Sequence, residues 1–445
     1  MTQKAAKPWM LLMLALCVHM SCPAQWTFLN AFSSEDIQWH GQSELSLDAL
    51  TSSLFTYDVE MRRLSYDMPF LGEDIPVSGA AFLPSAAGME LPVLVYHHGT
   101  TFQRQSAPSF KVDLTNLGYA MASMGFVVLM PDYAGLGEST IQHPYCHAQS
   151  EADAGWSMVE EVVELGAGLD VGFNGNLYIT GYSQGGHGAR AMARAQLPEQ
   201  LQDVLAVKAV APLSGPYDMS GTQLPWILGD AFYSQPAYIF YILKGWNEVY
   251  GALFESFVDI CQEPYAAMLD TMLNGEHSGT AINAMCPEDW TTMLLPGVMD
   301  TMTTSNSMLL DLAAQNDVHN WTPSMPLHMR YCTEDEEVWF QNAVSADDWM
   351  SASGAPDVEA FNLGGFNHNG CALSAITTSV LWFLSMESSA SELAEHAVES
   401  ECADWEYLDL TGRAVTGSFT AVPSAGWMLR RCRHTGRVEK CMHPQ

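Results

Sequence analysis

The chain has 445 residues, 48% of them hydrophobic, which is enough for one large domain with a smaller appendage. Its 51 acidic residues outnumber 17 basic ones, and the formal net charge is −34. Nucleic acids and anionic membrane surfaces attract lysine and arginine, so this balance argues against both as partners. A solvated acidic surface suited to salty water is the simpler explanation of the charge.

The first 24 residues are typical of a secretory signal peptide. Lys4 and Lys7 precede an apolar run from Trp9 to Met20, which is too short to be a stable membrane span. Small side chains at Cys22 and Ala24 predict cleavage after Ala24, with a lipoprotein site at Cys22 as the alternative. Cleavage removes two of the ten cysteines and leaves eight, an even number that favours disulfides in an exported chain.

Seven short apolar runs predict strands, and longer helical patterns separate several of them. Two of the helical patterns cover Asp113–Met124 and Glu151–Leu165. Strands that are apolar along their length and alternate with helices are typical of an α/β fold, whose mostly parallel sheet carries helices on both faces. The predicted strands are Val77–Leu83, Pro92–His97, Phe126–Pro131, Asn176–Gly181, Val207–Leu213, Leu327–Cys332 and Val358–Leu363.

Residues 222–326 interrupt this alternation. They contain no clear strand and are rich in apolar and aromatic side chains, most densely in Trp226–Trp246. We therefore predict a helical cap, inserted between two sheet strands of a domain that covers residues 25–400. Its methionines and aromatic residues are expected to form a core first, and an apolar substrate pocket only secondly.

The tail differs from the rest of the chain in charge and pattern. From residue 403 onward six basic residues stand against four acidic ones, so the tail carries about +2. Two strand-like runs, Glu406–Val415 and Ala425–Cys432, lie within it. These features predict a small separate β module over residues 401–445.

Ser183 stands in the frame "GYSQG", between an apolar strand and an alanine-rich helical stretch. A sharp strand-to-helix turn strains the serine backbone and requires small neighbours, which Gly181, Gly185 and Gly186 provide. The beginning of the following helix also places partial positive charge where an oxyanion would develop. The pattern predicts a nucleophilic serine rather than a plain glycine-rich turn.

A nucleophilic serine needs a base, and the base needs an acid that orients it. Asp335 follows the predicted strand Leu327–Cys332 in the acidic stretch "TEDEEVW", and it is our candidate for the acid. Asp218, after the preceding strand, is the alternative. The candidate base is His368, in the glycine-rich loop after the last strand, whereas His187 is expected to be structural because it lies one helical turn beyond the serine.

Two backbone N–H groups are expected to stabilise the oxyanion. Gln184 follows the nucleophile directly and should supply one of them. The second should come from the loop "HHGTTF", where we choose Thr100 over Thr101.

Neither a metal nor another cofactor is expected in the reaction. Two histidine pairs could be mistaken for metal ligands, but neither has the accompanying glutamate or third ligand of a hydrolytic zinc site. No CxxC pair is present to form a zinc ribbon or a redox site. The two pairs are His97 with His98 and His143 with His147.

Two cysteine pairs are candidates for disulfides. Cys332 and Cys371 lie beside the acid and base loops, and a bond between them would tie the two loops together. Cys261 and Cys286 form a similar candidate pair inside the cap.

These motifs together resemble the α/β-hydrolase superfamily, and within it the secreted lipases and esterases related to fungal lipase A. The resemblance covers about residues 60–386. It implies carboxylic ester hydrolysis through an acyl-enzyme, with Ser183, Asp335 and His368 as the triad and a cap that shapes an acyl-chain pocket. The loop "HHGTT" departs from the family pattern. The matching segments are Gly181–His187, Pro131–Gly137, His143–Ala152, Ser106–Ser109 and Ala211–Asp218.

The tail resembles the C-terminal sorting domain of Bacteroidota proteins exported by the type IX secretion system. The runs "YLDLTGRAV" and "PSAGWMLRR", followed by "VEK", carry this likeness. Cys432, Cys441 and Trp427 depart from the pattern. The resemblance implies a protein released from the cell or held at its surface, with the type IX machinery as partner.

Three functions fit the sequence to different degrees. An ester or lipid hydrolase fits best. A serine peptidase of the prolyl-oligopeptidase type shares the sheet and triad. After removal of the signal peptide, however, only about 50 residues precede the first predicted strand, too few for its propeller. The third hypothesis is a surface binding protein with a vestigial triad. The sequence argues against it, because all three triad positions hold intact residues.

Overall fold

In the computed structural model, residues 24–166, 169–251 and 253–387 are described, together with the backbone of residues 405–408, 427–432 and 438–442. Nine strands form one sheet in the order β1-β2-β3-β5-β4-β6-β7-β8-β9. The strands are β1 (Gln25–Phe32), β2 (Val59–Phe70), β3 (Glu73–Pro84), β4 (Glu90–His97), β5 (Val127–Pro131), β6 (Gly172–Tyr182), β7 (Ala206–Leu213), β8 (Leu327–Tyr331) and β9 (Val358–Asn362).

The sheet is mostly parallel, as the sequence predicts. Strands β4 to β9 run parallel to one another, and β1, β2 and β3 add three antiparallel pairings at one side. All seven predicted strands are present, with bounds within a few residues of the expectation. The sequence analysis missed β1 and β2. Strand β1 has no fully buried residue, and buried and partly exposed residues mix along β2, so neither has the continuous apolar run of a central strand.

Helices pack on both faces of the sheet. One apolar core contains Val159 and Met192 from the helices on one face, and another contains Tyr119 and Phe383 from the opposite face. The helices are α1 (Ser34–Ser43), α2 (Ala49–Ser52), α3 (Gly118–Ser123), α4 (Ala148–Leu165), α5 (Gln184–Ala195), α6 (Leu224–Leu228), α7 (Pro236–Tyr250), α8 (Tyr265–Met272), α9 (Gly279–Asn283), α10 (Val298–Thr303), α11 (Met308–Gln315), α12 (Gln341–Ala352) and α13 (His368–Glu387).

The helix predicted over Asp113–Met124 is only half present, because α3 begins at Gly118. The Asp113 carboxylate accepts the N–H of Thr115, and the Asn116 side chain accepts the N–H of Gly118. Short polar side chains of this kind hold turns in place of helix. The other predicted helix is present as α4, which begins three residues earlier than expected.

The segment between β7 and β8 forms the predicted helical insertion. It begins with a turn of π-helix at Met219–Gln223 and continues through α6 to α11. Its large side chains pack on one another, and Phe240, Trp246 and Trp290 are fully buried in this core. We call this segment the cap. Its apolar composition therefore serves packing first, as expected.

Of the two predicted disulfides, one is present. Cys332 and Cys371 are bonded, which joins the end of β8 to the first turn of α13. The prediction for Cys261 and Cys286 is wrong, because both are free thiols. The Cys286 thiol points at the carbonyl of Ile282 in its own helical turn, 3.5 Å away.

Helix α13 is long and apolar enough to cross a membrane by length and composition alone. It packs against β6, β7 and β8, and its buried residues include Ala375, Val380 and Phe383. The contacts are those of a core helix that covers one face of the sheet.

The tail contains a second sheet of three antiparallel strands, β10 (Trp405–Leu408), β11 (Trp427–Cys432) and β12 (Val438–Met442), in that order. Two of them overlap the strand-like runs in the sequence. The predicted signal peptide lies outside the described residues, except for Ala24, and so do the tail residues between these strands.

Candidate active site

Ser183 lies on a tight turn between β6 and α5. Its backbone angles are φ 61° and ψ −122°, in a region that side-chain-bearing residues seldom adopt. Its N–H donates to the carbonyl of Leu213 at the end of β7, 2.9 Å away. Neighbouring strands thus hold the serine in a strained conformation at the carboxyl edge of the sheet.

The glycines around Ser183 are required by close backbone contacts. A Cβ on Gly185 would lie 1.9 Å from the carbonyl oxygen of His97, and one on Gly181 would lie 2.2 Å from that of Gly185. A Cβ on Gly186 would lie 2.6 Å from the carbonyl oxygen of Leu213. No real Cβ packs so closely against backbone, so the turn can form only with glycine at these positions.

Asp335 and His368 form a hydrogen-bonded pair. The Nδ1 atom of His368 lies 2.7 Å from Oδ2 of Asp335, and both side chains are almost fully buried. The other carboxylate oxygen, Oδ1, accepts the N–H groups of Glu337 and Val338 at 3.1 and 2.8 Å. The acidic loop therefore fixes the orientation of its aspartate with its own backbone.

The imidazole of His368 is held on several sides. Burial lowers its pKa, but the hydrogen bond and charge of Asp335, with the charges of Glu337 and Glu336, outweigh burial and raise the pKa above its ordinary value. The Tyr182 hydroxyl donates to the His368 carbonyl at 2.5 Å. Tyr182 precedes the serine directly, so this bond ties the histidine to the serine turn.

Ser183, His368 and Thr100 line one cavity of about 590 Å³, between the carboxyl edge of the sheet and the cap. Gln184 is the first residue of α5, and the N–H of a first helical residue has no partner within its helix. The Thr100 hydroxyl lies 2.9 Å from that of Tyr145. The structure thus brings the predicted residues to one place, and the roles of Gln184 and Thr100 as oxyanion donors stay predictions.

A buried polar network below the serine was missed by the sequence analysis. The Gln184 side chain donates to Nε2 of His143 and to Oε1 of Glu151, both at 2.9 Å. The other oxygen of Glu151 lies 2.6 Å from Nδ1 of His187, whose Nε2 lies 2.8 Å from the carbonyl of Asn316. Both ring nitrogens of His187 therefore face hydrogen-bond acceptors.

Glu337 is a second residue that the sequence analysis did not single out. It lines the cavity, and its Oε2 atom lies 3.8 Å from Nε2 of His368, the nitrogen that faces away from Asp335. The acidic stretch "TEDEEVW" contains four carboxylates, and only their placement in space separates Glu337 from its neighbours. Burial is the useful signal, because Glu337 is 5% exposed.

The alternative acid, Asp218, does not face His368. Its carboxylate accepts the N–H of Gly221 and the hydroxyl of Thr222, and lies 3.7 Å from Nδ1 of His319. Asp218, Asp317 and His319 bring ligand atoms within 4.8 Å of one another, and they are the residues near the cap that could hold a metal ion. Cys146, Glu151 and His187 form another such group, in which the contact of 2.6 Å between Glu151 and His187 already uses the carboxylate and imidazole.

The histidine pairs noted in the sequence have structural roles. His97 is fully buried with its Nε2 3.3 Å from the sulfur of Met192, and burial lowers its pKa to about 3. His143 places Nδ1 2.7 Å from the carbonyl of Ala134, and burial also lowers its pKa to about 3. His147 caps the beginning of α4 through the N–H of Ser150. Neutral imidazoles in these positions join loops by hydrogen bonds.

No family model matches the chain, and no similar sequence was found among curated proteins. Solved structures do share its architecture. A Legionella pneumophila protein proposed to be a hydrolase is 23% identical, with 82% of this chain and 98% of that one covered and a TM-score of 0.73.

Two further solved structures are named as an esterase and a lipase. The rice cell wall degrading esterase LipA from Xanthomonas oryzae is 23% identical over 83% of this chain and 97% of its own, with a TM-score of 0.71. Lipase A from Candida antarctica in its closed state is 13% identical over 81% of this chain and 80% of its own, with a TM-score of 0.58. At these identities the likeness concerns the fold, and the chain has the α/β-hydrolase fold.

Proposed function

We propose that this protein hydrolyses carboxylic esters through an acyl-enzyme formed on Ser183. The observation that supports this most is the strained serine turn, which lines the same cavity as a histidine hydrogen-bonded to a buried aspartate. A backbone strained at one serine is costly, and such strain is typical of functional sites. The esterase and lipase of the same fold point to the same chemistry.

The reaction begins when His368 Nε2 takes the proton of Ser183 Oγ as this oxygen attacks the ester carbonyl carbon. The carbonyl oxygen becomes an oxyanion against the N–H groups of Gln184 and the Thr100 loop. As the tetrahedral intermediate collapses, the bond to the alcohol oxygen breaks, and Nε2–H protonates the leaving alcohol. Water then attacks the acyl-enzyme by the same steps and releases the acid and the free serine.

Asp335 supports both proton transfers. Its Oδ2 accepts the Nδ1 hydrogen, which keeps Nε2 free to act as a base. Its charge also stabilises the imidazolium that forms when Nε2 takes the serine proton, as the raised pKa of His368 indicates. An aspartate buried in this way orients the ring without itself taking the proton.

The test is hydrolysis of short- and long-chain p-nitrophenyl esters by the purified protein and by its Ser183→Ala variant. Wild type should turn over, and the variant should lose activity by about a thousandfold or more. Ser379→Ala, at a buried serine of α13 whose hydroxyl donates to the Ala375 carbonyl of the same helix, is the matched control and should retain activity. Cleavage of a peptide amide without any ester would favour a peptidase, and inactivity on both would favour a binding protein.

We also propose that the chain is exported, with a signal peptide over residues 1–24 and the C-terminal β module as a type IX sorting domain. The Cys332–Cys371 disulfide supports an oxidising compartment. Mass spectrometry of the protein secreted by a host with a type IX system should find an N-terminus at Gln25. A chain without residues 401–445 should accumulate in the periplasm, and its normal release would contradict the sorting role.

A further inference from the structure

Glu337 has a position that the triad alone does not explain. Its carboxylate is buried, lines the cavity and lies 3.8 Å from the Nε2 atom of His368. That distance is too long for a good hydrogen bond, so the carboxylate is beside the reacting nitrogen without being its direct partner. Burying a carboxylate next to a catalytic base costs desolvation free energy, and titratable groups buried in this way often have a function.

The cap holds this carboxylate in place through two donors. Tyr238 donates its hydroxyl to Oε2 at 3.0 Å, and the Gln235 amide donates to Oε1 at 3.2 Å. The amide of Gln235 is itself oriented, since its oxygen accepts from Asn283, whose own oxygen accepts the N–H of Ala237. The network thus presents acceptor oxygens of Glu337 to the cavity in a fixed direction.

The cap side of the cavity is polar. The cap contributes Gln235, Tyr238, Ser278 and Thr280, which line the space together with Glu337. The sheet domain contributes polar residues too, such as Gln103 and Asn116, and also the apolar side chains of Leu117, Met130 and Ala372. An ester bound at Ser183 would find these apolar side chains for its acyl chain and the polar cap residues beside Glu337 for its alcohol.

We propose that Glu337 is a specificity-determining residue, which accepts a hydrogen bond from a hydroxyl on the alcohol part of the substrate and so selects esters of polyols. This inference rests on the proposed ester hydrolysis. The leaving oxygen must come within about 3 Å of His368 Nε2 to receive its proton. A hydroxyl on the adjacent carbon then reaches the carboxylate that lies beside that nitrogen, whereas a plain alkyl chain would only desolvate it.

The charge of Glu337 has a second consequence that can be measured separately. Burial raises the pKa of its carboxyl, against the opposing effects of His368 and of the Tyr238 hydrogen bond. In turn Glu337 is one of three carboxylates, with Asp335 and Glu336, that raise the pKa of His368. Removing its charge should move the acid limb of kcat/KM to lower pH, because the free base then persists to lower pH.

The experiment compares two esters that differ by two hydroxyl groups, glycerol monobutyrate and n-propyl butyrate. Wild type should favour the glycerol ester by about tenfold in kcat/KM, as expected for a hydrogen bond to a charged group. Glu337→Ala should reduce that ratio to about one, because kcat/KM falls more for the glycerol ester than for the propyl ester. Glu337→Gln should reduce the ratio in part. Glu334→Gln, which removes an exposed charge of the same loop, should keep the wild-type ratio.

The possible outcomes distinguish failure of the specificity role of Glu337 from failure of the proposed ester hydrolysis. Wild-type activity with no preference between the esters, or a preference that survives in Glu337→Ala, would overturn the specificity role. A shifted pH profile with an unchanged ratio would show that Glu337 acts only on His368. Loss of both activities in a folded Glu337→Ala variant would make it a positioning residue for the base and overturn the inference. No hydrolysis by wild type would contradict the proposed function itself.

Discussion

The two sides of the cavity are built in different ways. The sheet side is formed by Ser183, the Gly99–Thr100 loop and His368. It rests on strand ends, and the backbone contacts at Gly181, Gly185 and Gly186 leave no space for one extra carbon. The cap side, formed by Gln235, Tyr238 and residues 278–280, stands on a separate apolar core. Side-chain hydrogen bonds such as Tyr241 to the Thr101 carbonyl connect the two.

This difference indicates that the sheet side carries the reacting groups and that the cap side selects the substrate. Reacting groups must be held to within a fraction of an ångström, and a rigid parallel sheet can do so. A cap with its own core can change its lining residues without disturbing that geometry. We therefore expect substitutions on the sheet side to abolish activity or folding, and those on the cap side to change stability slightly and specificity more.

The largest effect should come from Asp335→Asn, with a loss in kcat of about ten-thousandfold. The N–H groups of Glu337 and Val338 keep the remaining oxygen, so the new amide N–H₂ would face His368. The ring would then carry its hydrogen on Nε2 and could not take the serine proton. Ester hydrolysis with a folding check by circular dichroism measures this.

Asp218→Asn is the matched control for that change, because Asp218 lies beside His319 instead. Its kcat should change by less than about tenfold, since a residue that contacts no reacting group contributes mainly to stability. A greater loss in Asp218→Asn than in Asp335→Asn would reverse the assignment of the acid.

Gly185→Ala should destabilise the protein by at least ~3 kcal/mol, because the added carbon would lie 1.9 Å from the His97 carbonyl oxygen. Gly251→Ala tests backbone strain without a clash, since its φ is +63° and nothing lies within 4 Å of the added carbon. It should cost about 1 kcal/mol. Chemical denaturation measures the free energy of unfolding of both variants. Equal losses of this free energy would show that the serine turn is less tightly packed than the contacts imply.

Replacing Cys332 and Cys371 together by serine should lower the free energy of unfolding by about 3 kcal/mol. The bond closes a loop between residues 39 positions apart, and its removal frees the unfolded chain. A reductant should destabilise wild type by more than it destabilises the double variant. Cys286→Ser should change little, because that thiol is free, and a large reductant effect that needs Cys286 would contradict this.

The smallest effect should come from Tyr241→Phe on the cap side. It removes one hydrogen bond of 3.2 Å to the Thr101 carbonyl, worth about 1 kcal/mol of unfolding free energy. The value of kcat should change by less than about threefold. A tenfold loss of kcat would mean that the cap also positions the oxyanion loop, and the division between the two sides would fail.

Much of the site could be predicted because its signals are local. Ser183 lies in a short glycine frame, and Asp335 and His368 follow the ends of apolar strands. The Cys332–Cys371 bond was also predictable from its place beside these two loops. Strands β1 and β2 were not predicted because β1 has no fully buried residue and β2 mixes buried and partly exposed ones. The helix predicted over residues 113–117 is absent because short polar side chains form turns there.

The sequence by itself determined the seven strands β3 to β9, the helical cap and the residues that meet at the carboxyl edge of the sheet. It could do so because parallel strands bury whole apolar runs and because the serine turn requires glycine over a few adjacent positions. The sequence also pointed to Asp335 as the acid, whereas only the tertiary structure decided which thiols of the described residues remain free. The tertiary structure alone placed Glu337 beside His368, because that contact depends on a cap helix about a hundred residues away in the chain.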